Sequence, residues 1–272
     1  MSPARRNYND VTEERLDFLD DLADSIAREY FAENAKIEPL KIARAYGIHY
    51  ILGSYEDAFD GALYFADGQF YIFINEDRQQ SVERRRFTFC HELGHFFIDG
   101  HRTALASGEV PYHSSFTNYS SELSVEREAD FFASFLLMPR HRIITDYRQY
   151  RKFSFSIIEQ FSQKYKTSKI ATVYRVLHLD LHPMMVVKAV AGTIVSVLKS
   201  ADFGFYPRGK KDFIPQDSLM YSVLKGEDVS GKTDQIWIGD WFDAPNREED
   251  KLFEHCIHYP QIDLCYSILW QE

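Results

Sequence analysis

The chain has 272 residues, 45% of them hydrophobic and 26% charged, with a formal net charge of -10. That is the make-up of an ordinary soluble protein with one large or two modest domains. No apolar run approaches ~18 residues, so a spanning helix is not expected. The charged start MSPARRNYNDVTEERLDFLDD has no apolar signal core, and three cysteines (Cys90, Cys256, Cys265) at no metal-like spacing argue against a disulfide framework. Cytoplasm is the expected location.

Helical spacing of Leu16, Leu19, Leu22, Ile26 and Tyr30 predicts an amphipathic helix over 11–34, and a short helix over 38–46 ends at Gly47. Strand material follows at 49–52. The runs 62–65 and 69–74, separated by Ala66-Asp67-Gly68, read as a hairpin. The strand 69–74 is a candidate edge against which an extended substrate would pair.

The next helix is expected from about Ser81 to Asp99, stopped at Gly100, and it carries His91-Glu92-Leu93-Gly94-His95. Positions i and i+4 share a helix face, so His91 and His95 point the same way and supply half of a tetrahedral zinc site. Glu92 is placed to take a proton from the attacking water. The bland alternative is a buried helix with locally bonded histidines and a solvated glutamate. It fits poorly, because Phe87, Phe89, Phe96, Phe97 and Ile98 surround the charge with apolar residues.

A polar loop over 100–120 is long enough to be a lid or mobile segment, and it holds three unranked candidates for stabilising an oxyanion, Tyr112, His113 and Tyr119. Another helix, 121–138, presents Val125, Ala129, Phe132, Ala133 and Leu136 on one face and ends at Pro139.

A catalytic zinc needs a third protein ligand. His101 lies ten residues after His91, at metzincin spacing, and Met138 could pose as that group's methionine turn. The glycine that turns such a chain back to the metal is replaced by Ile98, which disfavours His101. Glu126 and Asp130, one turn apart on the next helix, are the better pair: Glu126 as ligand, Asp130 orienting an imidazole, an arrangement similar to that of gluzincins. Glu128 lies about 200° away on the helix and is expected to be a solvated charge. Neither His101 nor Glu128 is expected to affect metal binding.

These residues carry a family resemblance. Gly61-Ala62-Leu63, Ile74-Asn75, the run Arg86 to His95, Glu126-Arg127-Glu128-Ala129-Asp130-Phe131-Phe132-Ala133 and Leu136-Leu137-Met138-Pro139 together resemble the ImmA/IrrE family of metallopeptidases. The similarity covers about 36–139, and more weakly 157–177. It implies an intracellular zinc protease that cuts a helix-turn-helix repressor in a stress or mobile-element response, with Zn²⁺ held by His91, His95 and Glu126. Asp130 stands where Asn is also common in the family.

Two further helices, 157–165 and 168–177, flank Lys166-Thr167, and Ser168-Lys169-x-Ala171 loosely resembles the start of a recognition helix. Charge is uneven: residues 1–139 hold 13 Lys/Arg against 24 Asp/Glu, 140–175 hold 9 against 2, and 181–272 hold 9 against 14. Only 140–175 has the sign to attract nucleic acid, and a solvated linker and helix face explains it more simply.

After Pro183 short strands are expected at 185–190, 193–198, 235–238 and 262–270. The segment 181–272 holds all three tryptophans and no assignable motif. It weakly resembles small-molecule-sensing, GAF-like domains of some relatives, with a structural cap as the plain alternative.

The expected fold is α+β: a zincin-like peptidase domain over 1–150 with a small antiparallel sheet and an active-site helix, a helical pair over 151–180, and a β-containing accessory or sensor domain over 181–272. The expected activity is zinc-dependent endopeptidase action on a helix-turn-helix repressor. A metal-containing regulator that binds a repressor or DNA without cutting is the alternative. No membrane partner is expected.

Overall fold

The computed structural model describes residues 11–33, 35–77, 81–109, 113–115 (backbone), 124–208, 213–229 and 231–271. Contacts divide the chain into two units, one holding residues 7–146 and 161–171, the other 147–160 and 172–272. The architecture is α+β, with two separate sheets.

In the first unit, α1 (Glu13–Tyr30) starts where the Thr12 side chain accepts the Arg15 N–H, and α2 (Pro39–Ala45) ends just before Gly47 at φ +68°. Strands β1 (His49–Gly53), β2 (Gly61–Ala66), β3 (Gln69–Asn75) and β4 (His113–Ser115) form a sheet ordered β1-β3-β2-β4. Asp67 and Gly68, both at positive φ, make the two-residue turn of the β2–β3 hairpin.

Two expectations change here. Because the loop after β1 crosses over and β2 lies on the far side of β3, β1 runs parallel to β3 and the sheet is mixed. Strand β3 is therefore interior, its backbone bonded on both sides, and cannot be the edge for a substrate; β1 and β4 are the edges. Asn75, fully buried at the end of β3, holds the crossing loop. Its amide donates to the carbonyls of Glu56 and Phe59, and its Oδ1 accepts from the N–H groups of Tyr55 and Asp77.

The motif helix α3 (Val82–Phe97) is capped by the Ser81 side chain and ends at Ile98, not at Gly100. Ile98 alone is extended (φ -80°, ψ 106°), and α4 (Asp99–Ser107) begins at once, so the expected polar loop opens as a helix closed by left-handed Gly108. Tyr112 and Tyr119 lie outside the described residues, as does the side chain of His113.

Helix α5 (Ser124–Leu137) is followed by α6 (Arg140–Tyr147), which the sequence pattern did not suggest. Pro139 ends α5, and its carbonyl accepts the first bonds of α6, from the N–H groups of Arg142 and Ile143. The basic residues there are consumed locally. Arg140 bonds Asp21 at 2.5 Å, His141 bonds Asp24 at 2.7 Å, and buried Arg142 donates to the carbonyls of Phe31, Ala32 and Ala35 where α1 ends. Asp24 is held below the usual carboxylate range: burial opposes this, and the His141 and Arg28 bonds outweigh it.

Helices α7 (Phe155–Tyr165) and α8 (Lys169–His178) follow, with Lys166 at positive φ between them, and the division into units passes through both. Most of α8 is buried, including Thr172, Val173, Arg175, Val176 and Leu177, which leaves little polar face to enter a groove of DNA. Lys164 is bonded to Asp146.

In the second unit an antiparallel sheet runs β6-β5-β9-β8-β7: β5 (Met184–Val190), β6 (Thr193–Lys199), β7 (Thr233–Trp237), β8 (Lys251–Tyr259) and β9 (Leu264–Trp270). One face packs on α9 (Leu219–Leu224), α10 (Ile238–Trp241) and Phe203, Phe205 and Phe242. Strand β8 escaped the sequence pattern because its interior carries Glu254, His255 and His258. Glu254 is nevertheless fully buried, accepting from the Leu219 N–H and the Ser267 hydroxyl. Among the described residues no helix is long and apolar enough to cross a membrane.

Candidate metal centre

Helices α3 and α5 approach closely because both offer small residues at their crossing. A Cβ added at Gly94 would stand 3.1 Å from the Cα and 3.3 Å from the Cβ of Ala129. That contact brings Glu126, one turn before Asp130 on α5, over the face of α3 that carries His91 and His95.

Three donor side chains converge there. The Nε2 atoms of His91 and His95 are 3.1 Å apart, Glu126 Oε2 is 3.2 Å from the first, and Glu126 Oε1 is 3.4 Å from the second. Ligands about 2.0–2.1 Å from a tetrahedral zinc stand about 3.3 Å from one another, so the spacing and the two-imidazole, one-carboxylate set fit that ion. These three are also the group of His, Cys, Asp and Glu side chains among the described residues that is close enough to hold a metal.

The electrostatics point the same way. Burial alone would lower the pKa of His91, but its bonds to Asp130 and Glu126 raise it to about 10. Burial would raise that of Glu126, yet its bonds to His91 and His95 hold it far below the carboxylate range. A pocket that favours a proton on imidazole and strips one from carboxylate is a pocket for positive charge.

Asp130 Oδ1 lies 2.8 Å from His91 Nδ1. The carboxylate thus accepts from Nδ1–H, which leaves Nε2 as the nitrogen that would be offered to an ion. Glu92 is fully buried on α3, one residue after His91, and packs against β2 at Gly61. A Cβ at Gly61 would meet Thr88 Cγ2 at 2.5 Å and Glu92 Oε1 at 2.8 Å, so only glycine leaves the carboxylate its place. Gly61 entered the sequence reading only through family resemblance. Its contact with Glu92 joins residues 31 apart and has no local signature.

Gly61→Ala is therefore expected to retain bound metal and to lose turnover, by up to ~100-fold if Glu92 moves by an ångström. Metal analysis and steady-state kinetics of the one variant check both halves.

His101 does return toward the site without a glycine, because the single extended residue Ile98 turns the chain. It arrives on the other side of His95: its Nδ1 is 3.0 Å from His95 Nδ1, away from the converging Nε2 atoms. The metzincin-like alternative places it among the ligands, and the geometry does not. Glu128, expected in solvent, is mostly buried and gripped by Arg15 through two bonds of 2.9 and 2.6 Å.

Residues 43–177 match the family model of Peptidase M78, the IrrE N-terminal-like domain. No curated protein matches the chain. Among solved structures, one described as a Mycobacterium tuberculosis transcriptional regulator aligns at a TM-score of 0.60 and 13% identity, over 95% of this chain and 80% of that one. At that identity the likeness is one of fold. His91, Glu92, His95, Glu126 and Asp130 all fall inside the matched span, and through residues 43–177 the chain belongs to the ImmA/IrrE metallopeptidases.

Proposed function

We propose that the chain is a cytoplasmic zinc metalloendopeptidase that hydrolyses a peptide bond in a helix-turn-helix transcriptional repressor, in a stress or mobile-element response. The observation that carries the hydrolytic reading is the set of three donor side chains whose nearest nitrogen and oxygen atoms are 3.1, 3.2 and 3.4 Å apart, with Glu92 on the helix that carries the two histidines. His91, His95 and Glu126 would hold the ion. Zinc in such a site acidifies water and polarises a carbonyl.

The chain's own groups do the rest. The Glu92 carboxylate accepts the proton of the attacking water and delivers it to the departing amine nitrogen. Its burial against Gly61 holds it in one place and keeps bulk water away. Asp130 keeps the His91 proton on Nδ1. The sheet edge nearest this machinery is β4, which pairs with β2 at Gly61, Ala62 and Leu63, and an extended substrate would add along its free side.

The repressor as substrate rests on the family. A regulator that binds its partner without cutting is the competing reading, and the described name of the similar solved structure, a transcriptional regulator, gives it a foothold. Incubating the purified zinc-loaded chain with a helix-turn-helix repressor encoded beside it separates the two. Discrete fragments from wild type are expected. A stable complex with an intact repressor would establish the non-cleaving reading instead.

A further inference from the structure

The two histidines are supported unequally. His91 Nδ1 meets a carboxylate directly, that of Asp130 at 2.8 Å. His95 Nδ1 meets another imidazole, His101 Nδ1, at 3.0 Å. His101 Nε2 in turn lies 3.4 Å from Glu128 Oε2, and Glu128 is held by Arg15 through Nε–Oε1 at 2.9 Å and Nη2–Oε2 at 2.6 Å. His95 is fully buried, His101 nearly so, and their rings are 5.1 Å apart between centroids.

We infer that His101 is a positioning residue for His95, locked in one tautomer by Glu128 and Arg15. The inference rests on the metal reading above. The proton placement along the row has one consistent solution. If His95 offers Nε2 to the ion, its proton sits on Nδ1 and is donated to His101. His101 must then present a lone pair at Nδ1 and carry its proton on Nε2, the nitrogen that faces the Glu128 carboxylate. A carboxylate held at both oxygens by a guanidinium favours that arrangement over the opposite tautomer. Each imidazole thus ends on a carboxylate, His91 directly and His95 through one intervening ring.

Four elements meet in the row, since Arg15 is on α1, His95 on α3, His101 on α4 and Glu128 on α5. The part that Ile98 plays also becomes functional: by breaking the helix for one residue it carries His101 onto the outer edge of His95.

The test combines zinc affinity, measured against a chromophoric chelator, with histidine ¹⁵N NMR of the zinc-loaded wild-type chain. His101→Leu, which cannot accept a proton, is expected to lose about 10–100-fold in zinc affinity, the usual cost of losing such support. His101→Gln, whose carbonyl oxygen can accept from His95 Nδ1–H, is expected to recover most of it. The NMR needs no variant and is expected to show His95 protonated on Nδ1 and His101 on Nε2. Wild-type affinity in His101→Leu, equal losses in the Leu and Gln variants, or a His101 proton on Nδ1 would each overturn the inference while leaving the metal site intact. A wild-type chain that binds no zinc would overturn both, and so the two failures are distinguishable.

Discussion

Glu92→Gln is expected to keep its metal and its thermal stability while turnover falls by about 10²–10⁴-fold, the contribution of a well-placed general base. The amide matches the carboxylate in shape, so its packing against Gly61 and Thr88 on one side and its place next to His91 are preserved. What it loses is the capacity to accept the proton of water. Metal content, melting temperature and cleavage rate measured on the same preparation make the comparison. Cleavage at the wild-type rate would remove Glu92 from the mechanism and leave the base unidentified.

Glu126→Ala should abolish most zinc binding, because it removes the sole carboxylate among the converging donors and leaves His91 and His95 as a two-ligand site. Asp130→Ala should weaken binding by a smaller factor, about 10–100-fold, since it frees the His91 ring and its tautomer without removing a donor. Zinc titration of both variants tests the order. If Asp130→Ala proved the more damaging of the two, the roles given to these carboxylates would have to be exchanged.

What was legible in the sequence was whatever depends on neighbours a few residues apart. His91, Glu92 and His95 share one helical face by their spacing, Asp67-Gly68 names its own hairpin turn, and Glu126 and Asp130 are paired by their four-residue separation. The small residue at Gly94 that lets Glu126 reach the histidines is also in the motif, though its partner Ala129 was seen only as a core-facing residue. The surrounding connections were illegible because they are made across the fold. Nothing local ties Arg15 to Glu128, 113 residues away, or turns His101 back onto His95 through an extended Ile98. The same holds for β8, whose Glu254 looks like a surface residue until Ser267 and the backbone of α9 surround it. The parallel pairing of β1 with β3 likewise depends on a crossing loop anchored by one asparagine.

The fate of the basic residues after Pro139 has a consequence for encounters in solution. A tally along the chain gives an acidic block of 24 against 13 followed by a basic block of 9 against 2, as if two opposite poles faced outward. Arg140 pairs with Asp21 of the first helix and Lys164 with Asp146, while buried Arg142 donates to backbone carbonyls. Part of the apparent opposition is met at contact distance inside the unit that holds the metal centre. Pairs closed at contact distance add little to a long-range field, and long-range fields are what make association rates fall steeply with ionic strength. Arg140 and Lys164 would then add little to the salt dependence of an encounter, and any such dependence would come from the other basic residues of the block.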